Sequence, residues 1–236
     1  DMTGLLSHSL NVGAATLSIT LGPQQFYDHV SAFGIGQLTN VDVAGEEPGH
    51  LKRPGDPDWH DADLATNAFG QGVATTSLQM MTSISAIANG GAIMHPHILR
   101  EVHDGDAVSF TQPQIMSRPV SGEVALTLAE MLADSLAKET KLAVVDGYRL
   151  VGKTGTAQIP MPYGAYDPER TIASFVGWGP ADDPKFIIFV KLDAPTVSQW
   201  GSQTAAPTFA DLVRRLVVLM EIAPDSIRQQ MAADIG

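Results

Sequence analysis

Val151-Gly152-Lys153-Thr154-Gly155-Thr156-Ala157-Gln158 sets a cation and two hydroxyls side by side, with a glycine between the hydroxyls. That composition suits a backbone that comes close to an anion, because glycine adds no side chain to hold the ligand off. The letters also fit a second pattern. Gly147, a spacer, and Gly152-Lys153-Thr154 match G-x-x-x-x-G-K-[ST], a loop that cradles phosphates. Such a loop needs a strand before its first glycine and a helix opening at Gly-Lys-Thr, whose N-terminus aims amides at the phosphates. Leu142-Ala143-Val144-Val145 passes as the strand, but the helix fails. Gly155 follows at once, Pro160 and Pro162 come soon after, and the spacer Tyr148-Arg149-Leu150-Val151 is bulky and strand-like. The stretch therefore reads as a strand over about 149–158, and a P-loop nucleotide hydrolase stays only as a remote alternative.

Working outward, strands are predicted over 171–178 and 186–193, the second a near-continuous apolar run, Phe186-Ile187-Ile188-Phe189-Val190. Pro180-Ala181-Asp182-Asp183-Pro184 between them is turn chemistry, so the two should form an antiparallel hairpin. Phe209, Leu212, Val213, Leu216 and Met220 recur at helical spacing, as do Val124, Leu128, Met131, Leu132 and Leu136 in a helix from about Glu123 to Lys138. Thr76 and Gln79 fit a capping box that opens a helix with Leu78, Met81, Ile84 and Ala88 on one face; Asn89-Gly90-Gly91 ends it. Residues 4–21 carry an apolar stripe of Val12, Ala15 and Ile19, and Pro23 can open a further helix. Residues 37–64, rich in Gly, Pro, Asp and Glu, read as an irregular surface loop, and 92–120 as a hairpin or irregular excursion.

The chain's 236 residues are 44% hydrophobic and 17% charged, enough for a substantial core. A formal charge of -12 argues against non-specific nucleic-acid binding, which needs positive charge to displace counterions. The absence of cysteine excludes disulfides and thiolate metal sites within these residues. No apolar run reaches the ~20 residues that span a bilayer, and neither a leading Met nor a signal peptide is visible. An upstream segment removed or never included is the expectation.

The strand reading gains partners along the whole chain. Ser7-His8-Ser9-Leu10-Asn11-Val12-Gly13, Phe33-Gly34-Ile35-Gly36, Gly45-Glu46, Phe69-Gly70-Gln71-Gly72, Thr76-Ser77-Leu78-Gln79, Ala88-Asn89-Gly90-Gly91 and Pro96-His97 lead to Gly152-Lys153-Thr154-Gly155-Thr156-Ala157-Gln158. Ala173-Ser174-Phe175-Val176-Gly177 and Ala205-Ala206-Pro207 follow it. In order and spacing this set resembles the class B penicillin-binding proteins, with Ser9-Leu10-Asn11 as the S-x-N element and Lys153-Thr154-Gly155 as K-T-G.

The resemblance implies an α+β fold, a five-stranded antiparallel sheet flanked by helices, of which these residues are the C-terminal portion of one transpeptidase domain. It implies a peptidoglycan D,D-transpeptidase that cross-links stem peptides ending in D-Ala-D-Ala through a serine acyl-enzyme, binds β-lactams, and uses no cofactor or metal. The longer parent would be membrane-anchored, with an extracytoplasmic domain and a glycosyltransferase partner. On this reading Lys153 supplies charge for the donor's carboxylate and the proton network, and Thr154 and Thr156 hydrogen-bond that carboxylate. The Thr156 amide is an oxyanion donor, and Gly155 keeps the strand open. Ser9 relays a proton and Asn11 binds the substrate backbone.

Two departures accompany the resemblance. The family's nucleophilic S-x-x-K lies upstream of S-x-N, outside these residues, so the chain alone should be inactive, with apolar surface left for the missing N-terminal segment or a second copy to cover. The one S-x-x-K present, Ser135-Leu136-Ala137-Lys138, falls between the other two elements and reads as a decoy. Asn40 stands where a glycine is more usual. A non-catalytic penicillin-binding sensor or scaffold is the principal alternative. Ser9 and Asn11 could instead be helix caps. His95-Pro96-His97 could be a metal pair but, with no third ligand at a recognisable spacing, reads as a strand entry with surface or packing histidines. The carboxylates of 42–63 match calcium ligands in number but lack the alternating loop pattern, and His60, Asp61 and Asp63 read as solvated. Trp178 and Trp200 could line a cleft or pack on the sheet.

Overall fold

The computed structural model describes residues 1–162 and 164–235. In chain order the elements are α1 (Met2–Ser7), α2 (Asn11–Leu21), α3 (Pro23–Ala32), β1 (His50–Leu51), α4 (Asp61–Asn67), β2 (Val73–Ala74), α5 (Ser77–Ala88) and β3 (Ile93–Met94). They continue with β4 (Glu101–Asp104), β5 (Ala107–Phe110), β6 (Ile115–Ser117), α6 (Gly122–Glu139), β7 (Val151–Pro160), β8 (Tyr166–Gly179), β9 (Phe186–Asp193), α7 (Ala205–Leu219) and α8 (Asp225–Ile235). The chain divides into two compact units, residues 10–126 and residues 1–9 with 127–236.

The unit of residues 10–126 is helical, with three two-stranded ribbons, β1-β2, β3-β6 and β4-β5. Tyr27, Leu51 and Leu64 form one small core cluster in it, on which Phe26, Val30, Ile35, Trp59 and Val73 pack; Ala86, Ile87, Ala92 and Ile93 are buried as well. The Tyr27 hydroxyl accepts from Trp59 Nε1 at 2.9 Å and from Asn67 Nδ2 at 3.0 Å. In α2 the expected stripe faces the wrong way: Val12 and Ile19 are exposed, and the residue turned inward is Ser18, whose hydroxyl donates to the Leu64 carbonyl at 3.0 Å. A small polar side chain lets α2 come close to α4, which a valine there would prevent.

Both halves of the predicted capping box at the start of α5 are formed, between Thr76 and Gln79. Gln79 does more than cap: it is 1% exposed, and its amide also donates to the carbonyls of Gln37 and, at 2.7 Å, Pro48. Thr82 and Ser83 are buried with it, while the predicted stripe of Leu78, Met81, Ile84 and Ala88 is half-buried. The reading of 37–64 as irregular surface loop is corrected in part. It contains β1 and most of α4, and it is pinned by carboxylates: Glu46 accepts from the Thr39 amide at 2.7 Å and the Asn40 amide at 2.9 Å, and Asp42 from the amides of Ile98 and Leu99, both at 2.8 Å. Asn40 has φ +56°, a left-handed conformation that asparagine tolerates, which explains how it stands in a glycine's place.

The other unit is built on an antiparallel sheet that, among the described residues, has three strands in the order β7-β8-β9, matching the three strands read from the sequence. The 186–193 strand is as predicted, and its hairpin partner is extended to Tyr166. Helix α7 covers one face. Phe175 of β8 and Phe209 of α7 are both fully buried with ring centroids 4.6 Å apart, inside a core that includes Leu136, Leu150, Ile188, Val190 and Val213. The close seat depends on glycines: a Cβ on Gly152 would lie 2.6 Å from the Phe175 ring, and one on Gly177 2.8 Å from the Phe209 ring. The buried face of α6 is turned one position from the predicted one. Of the predicted stripe, Leu132 and Leu136 are buried, Leu128 and Met131 half-buried and Val124 exposed, while Ala125, Ala129 and Ala133 are buried where small side chains permit close packing. Trp178 is buried in the sheet.

A candidate active-site strand

Strand β7 is an edge of its sheet. Gly152-Lys153-Thr154 lies inside it, so no helix opens there and the phosphate-loop reading is excluded. Side chains alternate across a strand, and so do the directions of its backbone groups. A Cβ built on Gly177 of β8 would abut the Val151 carbonyl, and one on Gly201, outside the sheet, would abut the carbonyls of both Gly155 and its β8 partner Ser174, so the Val151 and Gly155 carbonyls point toward β8. The amides of Thr154 and Thr156 therefore face the unpaired edge of β7, where an extended ligand or a developing oxyanion could accept from them.

Lys153 projects beside this edge. Its ammonium donates to the Ser9 hydroxyl, to the Thr154 carbonyl at 3.2 Å and to the Thr154 hydroxyl at 3.4 Å. Burial lowers its pKa below the ordinary lysine value, since taking a charge out of water favours the neutral form. Ser9 is presented by a left-handed turn (φ +50°) just after α1, whose N-terminus is capped by Asp1 accepting from the Gly4 amide at 2.7 Å. Neither Ser9 nor Asn11 caps α2. Leu10 holds that place without a side-chain bond, and Asn11 is the first helical residue, in the unit of residues 10–126. Among the sequence-predicted residues, the structure thus joins Ser9, Lys153 and Thr154 by hydrogen bonds.

A Cβ on Gly155 would sit 2.5 Å from the Ser174 hydroxyl on β8, which would have to rotate away to admit it. Thr156 is exposed, and its hydroxyl accepts from the Gly201 amide at 3.2 Å. Gly201 lies in the segment joining β9 to α7 and escaped the sequence reading, because no pattern in the neighbouring residues marks it. Ser135 is 4% exposed on α6, whereas Lys138 is exposed, so the internal S-x-x-K is not a paired couple. Among the described residues, no group of three or more His, Asp or Glu could hold a metal ion.

The family model described as the penicillin binding protein transpeptidase domain matches residues 1–214. The chain belongs to that family. Its relatives bear out the resemblance to class B penicillin-binding proteins. Stage V sporulation protein D of Bacillus subtilis is 33% identical over 93% of this chain and 34% of its own length. The peptidoglycan D,D-transpeptidase FtsI of Escherichia coli is 30% identical over 96% of this chain and 37% of its own. The crystal structure of penicillin-binding protein 3 from Mycobacterium tuberculosis complexed with ampicillin superposes with a TM-score of 0.84 at 32% identity, over 94% of this chain and 51% of that one. The chain spans about a third of the length of the curated relatives it matches. No helix among the described residues is long and apolar enough to cross a membrane.

Proposed function

We propose that these residues form the carboxylate- and oxyanion-holding wall of a peptidoglycan D,D-transpeptidase. The observation that carries this reading is the partly buried Lys153 on an open strand edge, bonded to the Ser9 and Thr154 hydroxyls beside edge-facing amides. The nucleophilic serine comes from outside the 236 residues. As its proton passes into the hydrogen-bond network around Ser9, its oxygen bonds to the penultimate D-alanine carbonyl carbon of the donor stem, and the oxyanion that forms is held by the Thr156 amide together with the serine's own. One such donor is worth roughly 3 kcal/mol of barrier. The bond to the terminal D-alanine nitrogen then breaks, and Ser9 passes a proton to that nitrogen. An amine of a second stem next attacks the acyl-enzyme, and the serine leaves with a proton returned through the same network.

Lys153, Thr154 and Thr156 hold the donor's terminal carboxylate, and Asn11 binds its backbone. β-Lactams acylate the same serine, in keeping with the ampicillin complex of the M. tuberculosis relative. The whole protein is membrane-anchored with this part outside the cytoplasm, and it works with a glycosyltransferase that supplies glycan strands. The test is labelling of the protein that carries the upstream S-x-x-K with a fluorescent penicillin. A covalent, serine-dependent label is the expected result; its absence, with that motif verified, would leave a non-catalytic relative as the better reading.

A further inference from the structure

We infer that the Gly201 backbone amide is a positioning group for this site: by donating to the Thr156 hydroxyl it leaves that hydroxyl's single proton to be given to the ligand carboxylate. The inference rests on the proposed role of Thr156 and extends it to a residue outside the K-T-G element.

A threonine hydroxyl has one proton and two acceptor lone pairs. Left alone on an exposed strand edge it rotates freely and is satisfied by water either way. The Gly201 amide, 3.2 Å from Thr156 Oγ1, takes an acceptor position and restricts the rotor. An anion arriving at the edge then meets a donor already aligned, so less ordering opposes binding.

The amide itself is firmly placed. Gly201 is buried, and its carbonyl accepts from the Ala206 amide at 2.9 Å in the first turn of α7, beside the buried Ala205, Ala206 and Phe209. At the other end of the segment, the Thr171 hydroxyl donates to the Gln199 carbonyl at 2.7 Å, and the Ala194 amide to the Thr171 carbonyl at 2.9 Å. Between these anchors Gly201 lies against the β7-β8 backbone. A Cβ on it would be 2.5 Å from the carbonyl oxygens of both Gly155 and Ser174. Only glycine fits without moving the segment off the strand, and that movement would draw the amide from Thr156.

The test uses the full-length protein with its reactive serine, and compares second-order acylation rates for benzylpenicillin and its methyl ester, which lacks the anionic carboxylate. Thr156→Val should slow the acid by about 10- to 100-fold, as loss of a hydrogen bond to a charged group implies, and Gly201→Ala by about fivefold, as loss of a neutral one implies; each should slow the ester by less than about twofold. The double variant should be no slower than T156V alone, and Thr156→Ser should recover most of the rate lost in T156V. Should G201A not fold, as judged by its melting curve, Thr171→Val loosens the same segment and should show the same acid-selective loss. Equal slowing of acid and ester, no slowing, or multiplicative losses in the double variant would overturn the inference alone. A wild-type protein that neither compound acylates would overturn it together with the proposed function.

Discussion

Replacing Phe209 by alanine tests the packing that holds strand β7 in place. The ring is fully buried, packs at a 43° tilt against Phe175 with centroids 4.6 Å apart, and fills the space that Gly177 leaves open. Taking roughly 150 Å² of ring surface out of water at about 25 cal/mol per Å² is worth about 4 kcal/mol. Core Phe→Ala changes cost about 3–5 kcal/mol once the residual cavity is included. Since backbone carbonyls flank Gly177 and Gly152, the sheet cannot collapse far into the void, and the upper part of that range is expected. In urea, with a slope of about 2 kcal/mol per M, the midpoint of the unit of residues 1–9 and 127–236 should fall by about 2 M. Tryptophan fluorescence reads this directly, because Trp178 is buried in the same sheet. A fall of less than about 0.5 M would mean that α7 does not hold the sheet as described.

Three further outcomes follow from other contacts. Gln79→Leu leaves the Gln37 and Pro48 carbonyls and the Thr76 amide without their partner, at about 1–3 kcal/mol for each group that stays buried, so hydrogen exchange of residues 37–48 should speed up well before global unfolding. Lys153→Met should be more stable than wild type at neutral pH. Burial depresses the folded-state pKa of Lys153, so the unfolded chain binds more protons up to about pH 10.5, and the variant's advantage should shrink as pH rises through that window in parallel melts. Arg149 reaches Glu130 at 2.9 and 2.7 Å and Asp134 at 3.0 Å, and its hydrogen bond holds the Glu130 carboxyl below the usual glutamate value. That contribution is present above the ordinary Glu pKa and lost as pH falls through the depressed one. Arg149→Met should therefore flatten the acid limb of the stability curve, by about 1 kcal/mol or less because the groups are half-exposed.

The β8-β9 hairpin and the span of α5 were legible because their signals are local: β-branched runs around a proline-rich turn, and a threonine and a glutamine at capping distance. Which face each helix buries was not. In α6 the alanines won, and in α5 Gln79, Thr82 and Ser83 went inside, because crowding and distant carbonyls decide burial there and helical periodicity carries neither. The order of residues 37–64 was hidden for a similar reason, being imposed by Glu46 on the Thr39 and Asn40 amides within the segment and by Asp42 on the distant amides of Ile98 and Leu99. At the candidate site, Ser9 and Lys153 stand 144 positions apart and could be paired only through the order of family motifs. Gly201 left no mark in its neighbours' letters, since what constrains it is the approach of two strands' backbones.

Strand β9 closes the sheet on the side away from β7, and within the described residues its outer edge has no partner. The two edges differ in how they resist self-pairing. β7 carries the Lys153 charge and ends at Pro160, both of which discourage a fourth strand. β9 offers an apolar run from Phe186 to Val190 with its charges, Lys191 and Asp193, gathered at one end. In colloidal terms it is a nucleation template: concentrated solutions of these residues by themselves should clump through β9-to-β9 contacts well below the concentration their net charge of -12 would otherwise permit.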